Sequence, residues 1–412
     1  MDTQKFTTRT ERVDDVPLLL GQIKKMRLAE LIDDNFQAYG NWQGLSIGQV
    51  TTGWLSYILS QGDHRLNHVQ TWAERLPTTL STGLETSVRA LDFSDDRLAG
   101  VLDYLAKDEE WERFEGELNG HVMGVYDLEA ERVRIDTTTA KSYVNVTEDG
   151  LFQFGHSKDH RPDLPQLKIS QSVLDPLGIP VTTTVVSGNC ADDPLYIPEI
   201  KRVRASLGTP GFLYIGDSKM GSVATRAYIA HTGDYYLCPL SATQIQQSER
   251  EQVLEPVWRQ EQTLKTVYRP LTPEEIEQGE EPEALAEGFG YVETLEDVID
   301  GERIPCREQR LVVCSFKYAK REQEVLDARI KKVREAIAEL NIRGRKRKVS
   351  DADELRAAVD KILRKNKVES IVTANYHTET RIIRKRVYKE RPARTVEKSQ
   401  TTVESEASGS SI

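Results

Sequence analysis

The feature that most limits how this chain can fold is a change of hydrophobic period near residue 120. Before it, apolar residues recur at helical spacing; after it, short β-rich runs alternate with short helical ones. GHVMGVYDLEAERVRIDTTTAKSY reads as strands ending in a polar turn. QLKISQSVLDPLGIPVTTTVVSGN reads as a hairpin whose two arms meet at Asp175-Pro176-Leu177-Gly178. PLYIPEIKRVRASLG is a helix stopped by Gly208, FLYIGDSKM a strand, SVATRAYIAHTG a helix stopped by Gly233, and DYYLCPLSA a strand. The order strand, hairpin, helix, strand, helix, strand predicts an α/β domain, a mixed sheet with helices packed on it.

Upstream, residues 11–118 read as an all-α N-terminal domain. LLLGQIKKMRLAELIDDNF places Leu20, Ile23, Met26, Leu28, Leu31 and Ile32 close to helical period. A second run carries Ile47, Val50, Trp54, Leu55, Tyr57, Ile58 and Leu59. A third, DFSDDRLAGVLDYLAKDEEWERFEGEL, opens with Ser94 as a cap and Asp95 and Asp96 in the first turn. Such a unit suits a helix–turn–helix or a dimerisation module; no basic recognition helix stands out in it.

Downstream of about residue 242 the pattern weakens. TPEEIEQGEEPEALAEG reads as an acidic loop, RLVVCSFKY as a strand, and AKREQEVLDARIKKVREAIAELN as a long amphipathic helix. IRGRKRKVS is a basic linker before a helix opened by Ser350, with Glu354 near a capping-box position. Two further β-rich runs precede VEKSQTTVESEASGSSI, whose polarity predicts disorder. The expected organisation is therefore 1–118 helical, 119–241 first part of the α/β core, 242–395 a basic α+β region, and 396–412 a disordered tail.

Composition removes several classes. No apolar stretch is long enough for a membrane helix, and the start MDTQKFTTRTERVDD lacks a signal-peptide core, so a cytoplasmic protein is expected. Cys190, Cys238, Cys306 and Cys314 form no CxxC pair, which argues against a disulfide framework or structural zinc. The net charge is −11, but it is unevenly spread. Residues 1–130 hold 22 acids and 12 bases, and residues 341–400 hold 18 bases and 8 acids. The basic end suits either a polyanion partner or a solvated helical face.

Two aspartates share one context. Asp136 lies in VRIDTTT and Asp217 in FLYIGDSK, each closing a β-rich run. Acids at the ends of neighbouring strands can share a Mg²⁺, which prefers a few carboxylates plus water and phosphate oxygens. They can equally cap the turn that follows. His156, Lys158, His160 and Arg161 form a polar cluster that suits phosphate contact or a surface loop held by Asp159 and Asp163. Thr137, Thr138 and Thr139 can hydrogen-bond beside a metal or simply reflect β propensity. Lys219 can reach a phosphate as a point charge. Arg343, Arg345, Lys346, Arg347 and Lys348, and the run Arg381, Arg384, Lys385, Arg386, Lys389, Arg391 and Arg394, are candidates for non-specific DNA contact.

RIDTTTAKSY, FGHSKDHRPDLPQLKISQSVLDPLGIPVTTTVVSGNCADDP and FLYIGDSKM together resemble the catalytic core of bacterial and archaeal insertion-sequence transposases of the DDE type. The resemblance covers most of residues 10–240. It implies a ribonuclease-H-like fold, DNA as partner, a homodimer on DNA, a nucleoid-associated location, Mg²⁺ or Mn²⁺ as cofactor, and Asp136 and Asp217 as catalytic metal ligands. The family's third acid follows a pattern of Tyr, two residues, Arg, three residues, Glu, six residues, Lys. Tyr318 and Arg321 fit the first spacing, but Val325 stands at the Glu position. Tyr388 and Arg391 fit it too, with Thr395 there. Glu322 and Glu324 are the nearest acids, on a helix whose many acids suit a solvated face. The resemblance thus carries two expectations: strand cleavage and transfer, or a truncated, non-catalytic remnant that binds DNA or an intact transposase.

Overall fold

A computed structural model of the chain describes residues 8–156, 160–208, 210–299, 302–341, 352–385 and 394–407. The chain divides into two units, Met1–Leu254 with Glu293–Glu308, and Glu255–Val292 with Gln309–Ile412.

The first unit opens with helices α1 (Val16–Lys25), α2 (Leu28–Asn35), α3 (Ile47–Gln61), α4 (Leu66–Ala73), α5 (Pro77–Gly83), α6 (Asp95–Leu105) and α7 (Asp108–Val125). The run LLLGQIKKMRLAELIDDNF, with its helical period, forms two helices, because Arg27 adopts a left-handed φ of 54° between α1 and α2. Ser46 and Gln49 form a reciprocal capping box at the start of α3, and Gly62 ends it at φ 60°. α2 and α3 approach so closely that a Cβ on Gly48 would lie 2.0 Å from the Ala29 carbonyl oxygen. Val50, Leu80, Phe93, Leu98 and Val101 are sealed in the core these helices share. Ser94 precedes α6 as expected, with Asp95 and Asp96 in its first turn, but its side chain makes no capping bond.

Helix α7 runs to Val125, past the boundary expected near residue 118. The segment read as strand from residue 120 therefore begins as helix, since Met123 belongs to a helical face packed on the next core. Strand β1 starts only at Arg132 (Arg132–Lys141). It is followed by β2 (Gln166–Leu174), β3 (Ile179–Ser187), α8 (Tyr196–Leu207), β4 (Leu213–Ile215), α9 (Val223–His231) and β5 (Tyr235–Leu237). The sheet order is β3-β2-β1-β4-β5. β1, β2 and β3 are antiparallel neighbours, while β4 runs parallel to β1 and β5 parallel to β4. This is the mixed sheet that the element order predicts.

Alternation on β1 decides which residues face the core. Val133, Ile135 and Thr137 are buried, whereas Arg132, Arg134, Asp136 and Thr138 are exposed. Val133 and Ile135 pack with Tyr196, Ile200 and Val203 of α8 and with Tyr214 of β4.

The second unit contains α10 in part (Gln247–Trp258), β6 (Lys265–Tyr268), α11 (Pro273–Glu277), β7 (Ala284–Ile299), β8 (Glu302–Ser315), α12 (Phe316–Leu340), α13 (Ala352–Asn366), β9 (Val372–Lys385) and β10 (Arg394–Ala407). Residues 293–308, from the end of β7 into β8, count with the first unit. The acidic stretch expected as loop holds α11, capped by Thr272 and Glu275, and the start of β7. Polarity also misled at the other end: residues 396–407, expected to be disordered, belong to β10, paired with β9. Val403 of β10 is buried with Val333 and Ile337 of α12 and Leu355, Val359 and Leu363 of α13. The side chain of Asn341 bonds both the carbonyl oxygen (2.7 Å) and the amide (3.0 Å) of Val403. Among its described residues, this polar strand is held by the buried Val403, the Asn341 clamp and its ladder. Among the described residues, no helix is long and apolar enough to cross a membrane.

Candidate active site

The parallel ladder between β1 and β4 sets the position of the two aspartates. Arg132 is opposite Leu213 and Arg134 opposite Ile215. Asp136 and Asp217 each lie two residues further on, so they keep the same offset. Asp136 is still within β1, while Asp217 falls just past the last residue of β4, in the loop before α9. That loop leaves the sheet through Gly216, whose amide bonds the Leu237 carbonyl of β5 at 3.2 Å.

Asp217 is tightly held. Its Oδ1 accepts the Tyr196 hydroxyl at 2.7 Å and the Lys219 backbone amide at 2.8 Å. Two donors on one oxygen orient the carboxylate and turn Oδ2 towards other partners. Tyr196 is the first residue of α8 and almost wholly buried. Its hydroxyl is pushed far above the usual tyrosine range, first by burial, then by the bond to Asp217 and by the charges of Asp217, Asp136 and Asp192. One hydroxyl therefore feels three carboxylates. Asp136 is held more loosely, its Oδ1 accepting the amide of Thr137 at 2.7 Å. Thr137 itself turns into the core; of the three threonines only Thr138 shares the exposed side of β1 with Asp136.

Residues from CADDP complete the surroundings, and the sequence reading did not single them out. Asp192 accepts the buried Lys168 ammonium at 2.6 Å, and Lys168 also bonds the Cys190 carbonyl. Lys219 Nζ lies 3.8 Å from Asp193. The available signal was Asp-Asp-Pro at a helix start, four residues before a tyrosine on the same helix face. The lysine at 219 is therefore partnered by a carboxylate as well as being close to Asp217.

The other candidates are placed differently. His156, His160 and Arg161 are exposed, and Arg161 forks onto Asp163 at 2.7 and 2.8 Å. His160 sits at φ 57°, and the His156 carbonyl accepts the Gln166 side-chain amide at 2.9 Å. Lys158 and Asp159 lie outside the described residues, as do Arg343, Arg345, Lys346, Arg347, Lys348, Ser350, Arg386, Tyr388, Lys389 and Arg391. Val325 is exposed on α12.

The donor set around Asp136 and Asp217 is oxygen only. Among the described residues, no group of three or more His, Cys, Asp or Glu side chains is gathered to hold a metal ion. Two hard carboxylates without nitrogen or sulfur ligands fit a Mg²⁺-type ion that keeps most of its water, and do not fit structural zinc.

A family model described as a domain of unknown function (DUF4277) matches residues 8–116, the helical region. No curated protein matches the chain. Among solved structures, a piggyBac transposase synaptic complex with hairpin DNA is similar over 64% of this chain and 59% of that one, at 11% identity and TM-score 0.29. A Mos1 strand transfer complex is similar over 57% of this chain and 79% of that one, at 11% identity and TM-score 0.19. A Mos1 transposase paired-end complex with left transposon end covers 61% and 89%, at 9% identity and TM-score 0.20. Scores this low carry no functional weight of their own.

Proposed function

We propose that this chain is a transposase of the DDE insertion-sequence type, acting on DNA with Mg²⁺ or Mn²⁺ held by Asp136 and Asp217. The observation that carries the reading is the shared offset of the two acids, Asp136 within β1 and Asp217 just past β4, each two residues beyond the last paired rung Arg134–Ile215. The sheet order and the motifs around both acids agree with it. The ion would supply Lewis-acid stabilisation at a phosphodiester. The chain's own part is to hold it: Asp217 offers Oδ2 because Tyr196 and the Lys219 amide occupy Oδ1. Lys219 stands by to meet a phosphate, with Asp193 as its partner when DNA is absent. His156, Lys158, His160 and Arg161, and the basic stretch Arg345–Lys348, would track the DNA backbone, with two copies of the chain acting on paired DNA ends.

A second reading is favoured by one observation. No third acid joins Asp136 and Asp217 among the described residues, and Val325 stands where a glutamate is expected. On that reading the protein binds DNA without cleaving it. The test is Mn²⁺-dependent nicking of supercoiled DNA alongside DNA binding by anisotropy, for the natural chain and Asp136→Ala. The transposase reading expects binding that falls steeply with salt and slow nicking that disappears in Asp136→Ala. Binding without nicking selects the second reading. Absence of DNA binding at low salt would overturn both.

A further inference from the structure

The loop that carries Asp217 is held from behind by a residue far away in sequence. Its front is fixed to β5 by the Gly216 amide, and Met220 plugs it into the core. Its turn is closed by the Met220 amide on the Asp217 carbonyl at 3.1 Å and by the Gly221 amide on the Ser218 carbonyl at 3.3 Å. Gln244 bonds the Ser218 carbonyl at 3.2 Å. The rear of the loop ends on Arg226 of α9, whose Nε donates to the Gly221 carbonyl at 2.9 Å.

Arg226 is only 2% exposed, so its charge must be met inside the protein. Glu308 of β8, 6% exposed, meets it through Nη1, and the Tyr236 hydroxyl of β5 donates to the same Glu308 oxygen at 3.0 Å. The guanidinium fork thus spans a backbone carbonyl on one side and a carboxylate on the other. An apolar side chain of similar volume could fill the space and bond neither. A buried ion pair is weak evidence for stability, because well-packed hydrophobic residues often replace one at no cost. What such residues cannot replace is the directional hold on Gly221.

We infer that Arg226 and Glu308 are positioning residues for Asp217: β8 supplies the carboxylate that lets a buried arginine fix the aspartate's loop. The inference rests on the proposed role of Asp217 for its functional meaning, but its structural content is independent of that role.

The experiment compares the full chain with Arg226→Met/Glu308→Leu and with Glu308→Gln. It reads thermal stability, hydrogen exchange of the segment 213–222, and Mn²⁺ affinity. The double variant is expected to keep a melting temperature close to that of the natural chain. Amide exchange in the loop should nonetheless rise about tenfold or more, and Mn²⁺ should bind roughly tenfold more weakly, the usual scale for losing a support behind a ligand. Glu308→Gln keeps an acceptor for Tyr236 without the charge, and should loosen the loop to a lesser degree. It also serves if the double variant fails to fold. Natural exchange in the loop of either folded variant would overturn the inference. Increased exchange in a protein whose natural form binds no Mn²⁺ would uphold the positioning and sink the metal reading instead.

Discussion

The helical bundle and the five-stranded core both bury apolar side chains, but the sheet region buries more polar and charged ones than the bundle, where Asn35, Thr52, Ser56 and Asp92 are the buried polar residues. The bundle encloses aliphatic and aromatic side chains, with Val50, Val69, Leu80, Phe93, Leu98 and Val101 at 0% exposure. The sheet region also buries Gln166, Lys168, Ser170, Ser172, Thr182, Glu199, Arg226, Asp234 and Glu308. Burying polar groups costs free energy unless they find partners, and most of these do, Ser170 Oγ and Gln166 Oε1 being exceptions. Glu199 accepts both Thr182 and Thr184 hydroxyls, and Asp234 accepts the amides of Gly211 and Phe212 just ahead of β4. The lesson is a division of labour. Apolar packing supplies stability where no chemistry is expected, and paired polar groups fix geometry around the inner strands β1 and β4 that carry the acids.

The largest expected effect is in the bundle. Phe93→Ala should cost about 3–5 kcal/mol, because the ring fills the space beside Gly53 and its loss leaves a cavity. Urea unfolding followed by circular dichroism checks it. A loss under about 1 kcal/mol would mean that the bundle collapses around the gap and is not the rigid partner in this comparison.

The next effect concerns pH and lies where α7 meets the sheet region. Glu115 accepts the Thr183 amide at 2.9 Å and pairs with Arg202 at 2.6 Å, beside a cavity of about 570 Å³. Burial pushes its carboxyl up to about 7, outweighing the lowering by Arg202. The folded protein therefore holds this proton more tightly than the unfolded chain. Its contribution is complete below about pH 4.5 and is lost as pH rises towards 7, up to about 3 kcal/mol in all. In Glu115→Gln that decline between pH 5 and 7.5 should vanish from the stability profile. An unchanged profile would assign the decline to other groups.

Smaller still is the cost of Tyr196→Phe, about 1–2 kcal/mol for one hydrogen bond to a carboxylate. The informative readout is metal affinity: Mn²⁺ should bind several-fold more weakly although both acids remain. An unchanged affinity would mean that the bond to Asp217 shapes the core alone.

Much of this fold is legible in the residues themselves. The turn Asp175–Gly178, the glycine stops at Gly208 and Gly233, and the strands at Tyr214 and Tyr236 follow from local chemistry. So does the shared context of Asp136 and Asp217, which only a parallel ladder turns into adjacency. What stayed hidden depends on distant partners. The split at Arg27 needs a left-handed residue with no glycine to announce it. Residues 120–125 look β-rich yet complete a helix because Met123 packs on the sheet core. Residues 396–407 look too polar to order, and pair with β9 nonetheless. Tyr196, Arg226 and Glu308 lie in three different elements, and nothing local marks them as supports of the Asp217 loop.

The central claim is that Asp136 and Asp217 form one cation site, and a Mn²⁺ titration followed by electron paramagnetic resonance tests it most directly. The natural chain, Asp136→Asn and Asp217→Asn would be compared at equal protein concentration, each first shown to be folded. The account predicts one site in the natural chain, weakened at least about tenfold by either substitution, since each acid is a ligand of the same ion. Mn²⁺ binding that is untouched by both substitutions would contradict it.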